Sequence, residues 1–160
     1  ERNKRGGTTN VPAIVGFGKA IENTKRDLKM VNKRLIELTN YFIKKVEYEI
    51  PNIKINGNLA QKAPGIVNIS FKYIEGESIL IKLDLNGVAV STGSACASGS
   101  LAKSHVLKAM GLKHEDINGA IRFSFGVDVS KDDIDYVVRK LVDIVEELRS
   151  MSPLGKKNKK

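Results

Sequence analysis

Between Pro12 and Pro51 the chain holds no proline, and Leu28, Val31, Leu35, Leu38, Phe42 and Val46 recur three and four residues apart. That spacing lines one face of a helix. Pro12 suits a first helical position and Pro51 ends the run. A long helix with one apolar stripe must be covered by other elements, so the remaining sequence is constrained to supply a layer that packs against it. Gly16 and Gly18 weaken the early turns, and a bend or joint is expected over residues 18–28.

The covering layer is legible downstream. Ile53–Gly57 (IKING) and Gly65–Phe71 (GIVNISF) alternate as strands do, with NLAQKAP as the loop between them. GESILIKLDLNG reads as a helix of about three turns, closed by the turn pair Asn86-Gly87. Val88–Ser91 reads as a short strand, and SHVLKAMG as a short helix capped by Ser104 and stopped by Gly111. GAIRFSFG is another strand. In SKDDIDYVVRKLVDIVEELRS, Ser130 and Asp133 have capping-box spacing, and Ile134, Val137, Val138, Leu141, Val145 and Leu148 form the stripe to be buried. The order predicts an α/β or α+β fold in which helices cover a small mixed sheet.

A chain of 160 residues suffices for one domain with a core. The single cysteine excludes an internal disulfide, and no Cys/His spacing suits zinc, so no metal site is expected. A lone thiol fits a reducing cytoplasm. No apolar run is long enough to span a bilayer, and ERNKRGG has no signal-peptide character. The net charge is +9, but the terminal KKNKK carries four of these charges and reads as a disordered basic tail. Only 6% of residues are aromatic and no Trp interleaves with the charge, so no specific nucleic-acid partner is expected.

Three features carry chemistry. Cys96 lies in VAVSTGSACASGS, flanked by Ser94, Ala95, Ala97 and Ser98 and bracketed by Gly93 and Gly99. A structural cysteine normally has apolar neighbours; a thiol on a pliable loop suits a nucleophile, provided a neighbour favours the thiolate. An incidental surface thiol stays open as the alternative. RGGTTNVP, with Thr8, stands just ahead of a helix start. Helix amides with a hydroxyl and an arginine nearby suit a phosphate, and a plain lead-in loop is the alternative. Arg122 interrupts an apolar strand, where its guanidinium would need a carboxylate if buried. Alternation puts Ile121 and Phe123 inward, so a solvent-facing Arg122 is equally open. His105 and His114 read as helix or turn residues without catalytic duty.

With these in order, the chain resembles the C-terminal part of a cysteine desulfurase of the NifS/IscS type, a class-V aminotransferase-fold enzyme using pyridoxal phosphate. The resemblance runs from residue 1 to about Leu154 and rests on RGGTTNVPAIVGFGKA, PGIVNISF, EGESILIKLDLNGVAVSTGSACASGSL, SHVLKAMGL, AIRFSFG and SPL. It implies that Cys96 is the catalytic nucleophile, which takes the sulfur of L-cysteine as a persulfide and leaves L-alanine. It also implies that Arg122 clamps the substrate carboxylate, and that Thr8 reaches across a homodimer to the phosphate of the partner's pyridoxal phosphate. A sulfur-acceptor protein, such as an iron–sulfur scaffold, is the implied partner, serving iron–sulfur cluster assembly or tRNA thiolation.

The departures are definite. The family's cofactor lysine lies in a Ser-x-His-Lys motif, which this chain lacks; SHVLK at Ser104–Lys108 has other spacing. Ala102-Lys103 stands where Glu-Pro is frequent, and Val127 where an arginine is common. The implied organisation is the end of a large cofactor domain with a linking helix over 1–27, a small domain over 28–150, and the tail over 151–160. Such a piece is expected to be inactive alone. Two other readings stay open: a cofactor-free persulfide carrier or accessory subunit using Cys96, and a basic binding module with an incidental thiol.

Overall fold

The computed structural model describes residues 6–92 and 104–153. The first element, α1 (Val11–Glu49), is one unbroken helix that passes through Gly16 and Gly18 without a turn or loop. Its start is fixed by Asn10, whose side chain accepts from the Ala13 amide, and by Pro12 in the first turn. Strands β1 (Ile53–Asn56) and β2 (Ile66–Phe71) follow, then α2 (Gly76–Asp84). Two short helices, α3 (His105–Ala109) and α4 (His114–Asn118), precede β3 (Ala120–Ser124). The last element is α5 (Lys131–Met151).

The sheet has the order β1-β2-β3 and both pairings are antiparallel. A mixed sheet was expected, and the correction has a topological cause. After β2 the chain makes two excursions, one through α2 and one through α3 and α4, so β3 enters running against β2. The predicted strand at Val88–Ser91 shrinks to one bridge, Ser91 opposite Arg122. Ser91 donates to the Arg122 carbonyl (3.2 Å) and accepts from the Arg122 amide (2.7 Å), while Val88–Val90 stand off the sheet. Helix α4 was not foreseen, since its HEDIN sequence carries only one large apolar residue.

One face of the sheet is apolar. Val67, Ile69, Phe71, Ile121 and Phe123 pack there with Leu38, Phe42 and Val46 of α1, Ile79 and Leu83 of α2, and Ile134, Val138, Leu141 and Val145 of α5. Phe42 is the hub, with ring centroids 4.8 Å from Phe123 and 5.3 Å from Phe125 in tilted geometry. Truncating such a ring costs about 3–5 kcal/mol. Val137 and Leu148, expected in the buried stripe of α5, lie only partly buried at its margin. Polar ties lock the helices: Asp135 accepts from Tyr41 Oη and Lys45 Nζ, both at 2.8 Å.

The expected stripe on α1 is buried only in its C-terminal half. Leu38, Phe42 and Val46 are fully enclosed, whereas Leu28 is 48% exposed and Val11, Ile14, Val15, Phe17 and Ile21 are all exposed. The first half of the helix thus carries apolar side chains that no described residue covers.

Helix α5 begins with the capping box that its sequence announces: Asp133 accepts from the Ser130 hydroxyl and amide, and Ser130 Oγ accepts from the Asp133 amide. The Ser130 hydroxyl and then its amide hold the Asp133 carboxyl below the usual aspartate range. A depressed folded pKa contributes stability above the unfolded value, and this is lost as pH falls through the folded one. Ser130→Ala should cost about 1 kcal/mol at neutral pH. The gap to wild type should narrow below the ordinary aspartate pKa. Urea midpoints at neutral pH and near pH ~2.5 measure both; a gap independent of pH would contradict the capping role of Asp133.

Candidate functional site

Because side chains alternate along a strand, the residues between the core positions of β3 point to the opposite face. Ile121 and Phe123 are buried while Arg122 is half-buried on the other side. Arg122 thus stands on the face away from the core, and that face is not bare. Asn68 on β2 is directly opposite Arg122, Asn56 on β1 is opposite Asn68, and Ser91 is opposite Arg122 across the other edge of β3. Directly opposed residues share a face. Asn56, Asn68, Arg122 and Ser91 therefore form one polar row across the sheet.

The spacing within this row follows from the hydrogen bonds. Arg122 spends both backbone groups on Ser91, so towards β2 it has none, and Arg122 with Asn68 is a non-hydrogen-bonded pair. In such pairs the side chains come closest, with Cβ atoms about 4.5–5.5 Å apart. At the β1 end the row is pinned from below. Ser70 Oγ donates to the Asp116 carbonyl at 2.6 Å, Asn56 Nδ2 donates to both Ser70 Oγ and Asn68 Oδ1 at 2.7 Å, and Lys54 Nζ pairs with the Asp116 carboxylate at 2.6 Å. Among the described residues no carboxylate forms an ion pair with Arg122.

Cys96 lies outside the described residues, as do Gly93, Gly99 and the rest of 93–103. What the structure does fix is the point from which that segment departs: Ser91, hydrogen-bonded at both backbone groups to Arg122. Ser104, where the chain is described again, caps α3 by accepting from the Leu107 amide, and Gly111 (φ 79) closes the turn after that helix, both as expected.

Thr8 is exposed in the lead-in to α1. The helix amides expected to help it hold a phosphate are already used. The Val11 amide donates to the Thr9 carbonyl, Pro12 has none, and the Ala13 amide is taken by Asn10. Arg5 lies outside the described residues. Thr8 therefore offers its hydroxyl, without the helix terminus. It is also remote from the polar row within its own chain: from Val11 to Leu38, the first α1 residue in the core, the helix runs roughly 40 Å at 1.5 Å per residue. His105 and His114 are exposed on α3 and α4.

Among the described residues, cavities are found away from this row. One of about 230 Å³ lies between Thr39 of α1 and the Leu59–Gly65 loop. Another, about 420 Å³, lies behind Val88–Val90 and is walled by Phe42, Phe123, Phe125 and Val137, on the apolar side of β3. Neither is lined by Thr8 or Arg122. Among the described residues no group of His, Asp and Glu is arranged to hold a metal ion, and no helix is long and apolar enough to cross a membrane.

The model of the aminotransferase class-V family matches residues 1–137. The chain belongs to that family. Among its relatives, it is 48% identical over 153 residues to the cysteine desulfurase IscS of Dictyoglomus turgidum, covering 96% of this chain and 39% of that protein. It is 45% identical over 157 residues to the cysteine desulfurase IscS of Methanosarcina thermophila, covering 98% and 39%. A solved NifS-like protein superposes with a TM-score of 0.78 at 28% identity, over 92% of this chain and 37% of that one. The NifS-like protein of Rickettsia africae gives 0.76 at 27%, over 89% and 36%. The chain thus spans about two fifths of the length of the curated relatives it matches. The resemblance drawn from the cysteine segment and its neighbours holds, and so does the α/β character of the fold.

Sequence reasoning did not single out Asn68 or Asn56. The available signal was an amide in the middle of the apolar strand GIVNISF, on the face opposite to Val67 and Ile69. In this class-V aminotransferase chain the register that brings Asn68 to Arg122 also depends on Gly119, whose backbone touches Phe71: the Phe71 amide donates to the Gly119 carbonyl at 2.9 Å, and an added Cβ would fall inside the Phe71 carbonyl. Gly119→Ala should therefore push β3 from β2 and destabilise the fold by about 1–3 kcal/mol. A urea midpoint equal to wild type would contradict that close approach.

Proposed function

We propose that this chain is the sulfur-accepting part of a cysteine desulfurase, in which Cys96 takes sulfur from L-cysteine while Arg122 holds the substrate carboxylate. The observation that carries this is the paired hydrogen bonding of Ser91 with Arg122: the segment bearing the lone thiol leaves the sheet beside the arginine of the polar face. Desulfuration needs these two functions together, since the substrate must be held by its carboxylate while its sulfur is attacked. The similarity to proteins named cysteine desulfurase supports the same reading.

In this reaction the Cys96 thiolate attacks the sulfur of L-cysteine. A sulfur–sulfur bond forms, the carbon–sulfur bond breaks, and the carbon left behind takes up a proton to give L-alanine. Family membership implies pyridoxal phosphate, which when bound supplies the electron sink for cleavage at the substrate carbon. The residues present fit that group in part. Thr8 presents an exposed hydroxyl suited to a phosphate oxygen, and Arg122 with Asn68 is a donor set suited to the substrate's carboxylate. The Ser-x-His-Lys lysine is not in these 160 residues and comes from polypeptide beyond them.

The distance along α1 supports the assignment of Thr8 to a partner subunit's cofactor in a homodimer, since the helix carries it roughly 40 Å from its own core. The exposed apolar residues of the first half of α1 support a boundary near residue 27, with the preceding segment completing a larger cofactor domain. The persulfide then passes to an acceptor protein for iron–sulfur assembly or tRNA thiolation, in the cytoplasm, where a lone thiol stays reduced.

In the full-length protein Cys96→Ser should abolish alanine formation from L-cysteine, and Arg122→Ala should raise KM for L-cysteine about tenfold or more. Alanine chromatography and thermal midpoints separate loss of function from unfolding; full activity of Cys96→Ser would sink the assignment. The 160 residues alone, mixed with pyridoxal phosphate and L-cysteine, should yield no catalytic alanine. Sustained turnover there would overturn the division of labour between this chain and the rest of the enzyme.

A further inference from the structure

The polar row ends in a group whose orientation is dictated from the far side of the sheet. The Asp116 backbone carbonyl can only accept, so the Ser70 hydroxyl at 2.6 Å must donate to it. Having spent its proton, Ser70 Oγ can only accept from Asn56, which turns the Asn56 Nδ2 towards it. The same Nδ2 reaches Asn68, so the atom of Asn68 facing β1 must be its Oδ1. The direction of every hydrogen bond in the series is thus set by one backbone carbonyl. Holding it this way round leaves Asn56 Oδ1 buried without a partner, a cost that the alternative amide orientation would exchange for an orphaned donor and a lost bond to Ser70.

With Oδ1 committed to β1, the other branch of the Asn68 amide, the Nδ2 donor, is directed away from β1, on the side of β3. There stands Arg122, the closest side chain across the pair. The guanidinium and the amide are both donors, so neither satisfies the other. Lys54 is neutralised by Asp116 within the same network, leaving one net positive charge at the β3 end of the row. Donors converging beside a single positive charge suit a monoanion with two oxygens, a carboxylate, better than a doubly charged phosphate.

We propose that Asn68 is a second ligand for the substrate carboxylate, its Nδ2 donating to one oxygen while Arg122 engages the other, and that Asn56, Ser70 and the Asp116 carbonyl serve to keep that donor turned outward. This rests on the desulfurase reading for the identity of the carboxylate. It goes beyond that reading in assigning a binding role to β2 and a positioning role to β1.

The test uses the full-length protein with L-alanine and propionate as carboxylate probes in calorimetry, and L-cysteine in steady-state kinetics. Asn68→Asp keeps the shape and sets an anion beside Arg122; it should weaken both probes about tenfold or more and raise KM for L-cysteine, with kcat changed less than KM. Asn68→Ala should weaken them several-fold. Asn56→Asp touches no ligand. Its carboxylate would accept from Asn68 and turn the Asn68 Oδ1 outward, so it should weaken carboxylate binding as well, which a packing role for Asn56 would not produce. Thermal midpoints accompany each variant, and should Asn68→Asp fail to fold, Asn68→Ala and Asn56→Asp decide. Folded variants that bind both probes and use L-cysteine as wild type does overturn the role of Asn68 and leave the desulfurase reading standing. Wild-type protein that desulfurates no L-cysteine and binds neither probe overturns both.

Discussion

The seating of β3 between β2 and Ser91 is the constraint on which the other features depend. A strand shows alternate residues to opposite faces, so one register puts Ile121 and Phe123 against Phe42 in the core and Arg122 in the polar row. A slip by one residue would drive the guanidinium into the phenyl cluster and expose two large apolar side chains. The desolvation cost of an unpaired arginine there is several kcal/mol, which rules out that register without any help from the loops. Core packing and site geometry are therefore the same specification read from two sides of one strand. Gly119 belongs to it, because the backbone contact with Phe71 is available only to a residue without a side chain.

The polar face differs from the apolar one in how its order is achieved. The core is held by shape and area, with no directional bonds. The row from Asp116 to Asn68 is held by donors and acceptors in a fixed sequence, where each partner's choice limits the next. An apolar face built to the same register would fix the positions of the side chains but not which end of an amide points where. Orientation of that kind needs a terminus that cannot reverse, and the backbone carbonyl of a short helix supplies it. This gives α4 a purpose beyond filling the sheet's second face.

Much of the architecture was legible in the sequence. Apolar spacing marked α1 and α5, alternation marked β1, β2 and β3, and Ser130 with Asp133 marked the start of α5, because each rests on a local period or a local hydrogen bond. What stayed hidden depends on non-local partners. Val88–Ser91 has strand-like residues, yet only Ser91 finds a partner. The stripe on α1 is continuous in sequence but buried only where α5 and the sheet lie against it. α4 carries no periodic signal, and the helix terminus ahead of Thr8 looked available to an anion until Asn10 and the Thr9 carbonyl were seen to occupy its amides. Arg122 was visible as an oddity in an apolar strand; Asn68 became meaningful only once the register was known.

The anchoring of Ser91 also sets a radius. A polypeptide extends at most about 3.3–3.6 Å per residue, so the Cα five positions beyond a fixed point stays within about 18 Å of it. Cys96 stands five positions after Ser91. Under the role proposed for Cys96, an acceptor must bring its own reactive group inside that leash, measured from the sheet edge at Arg122.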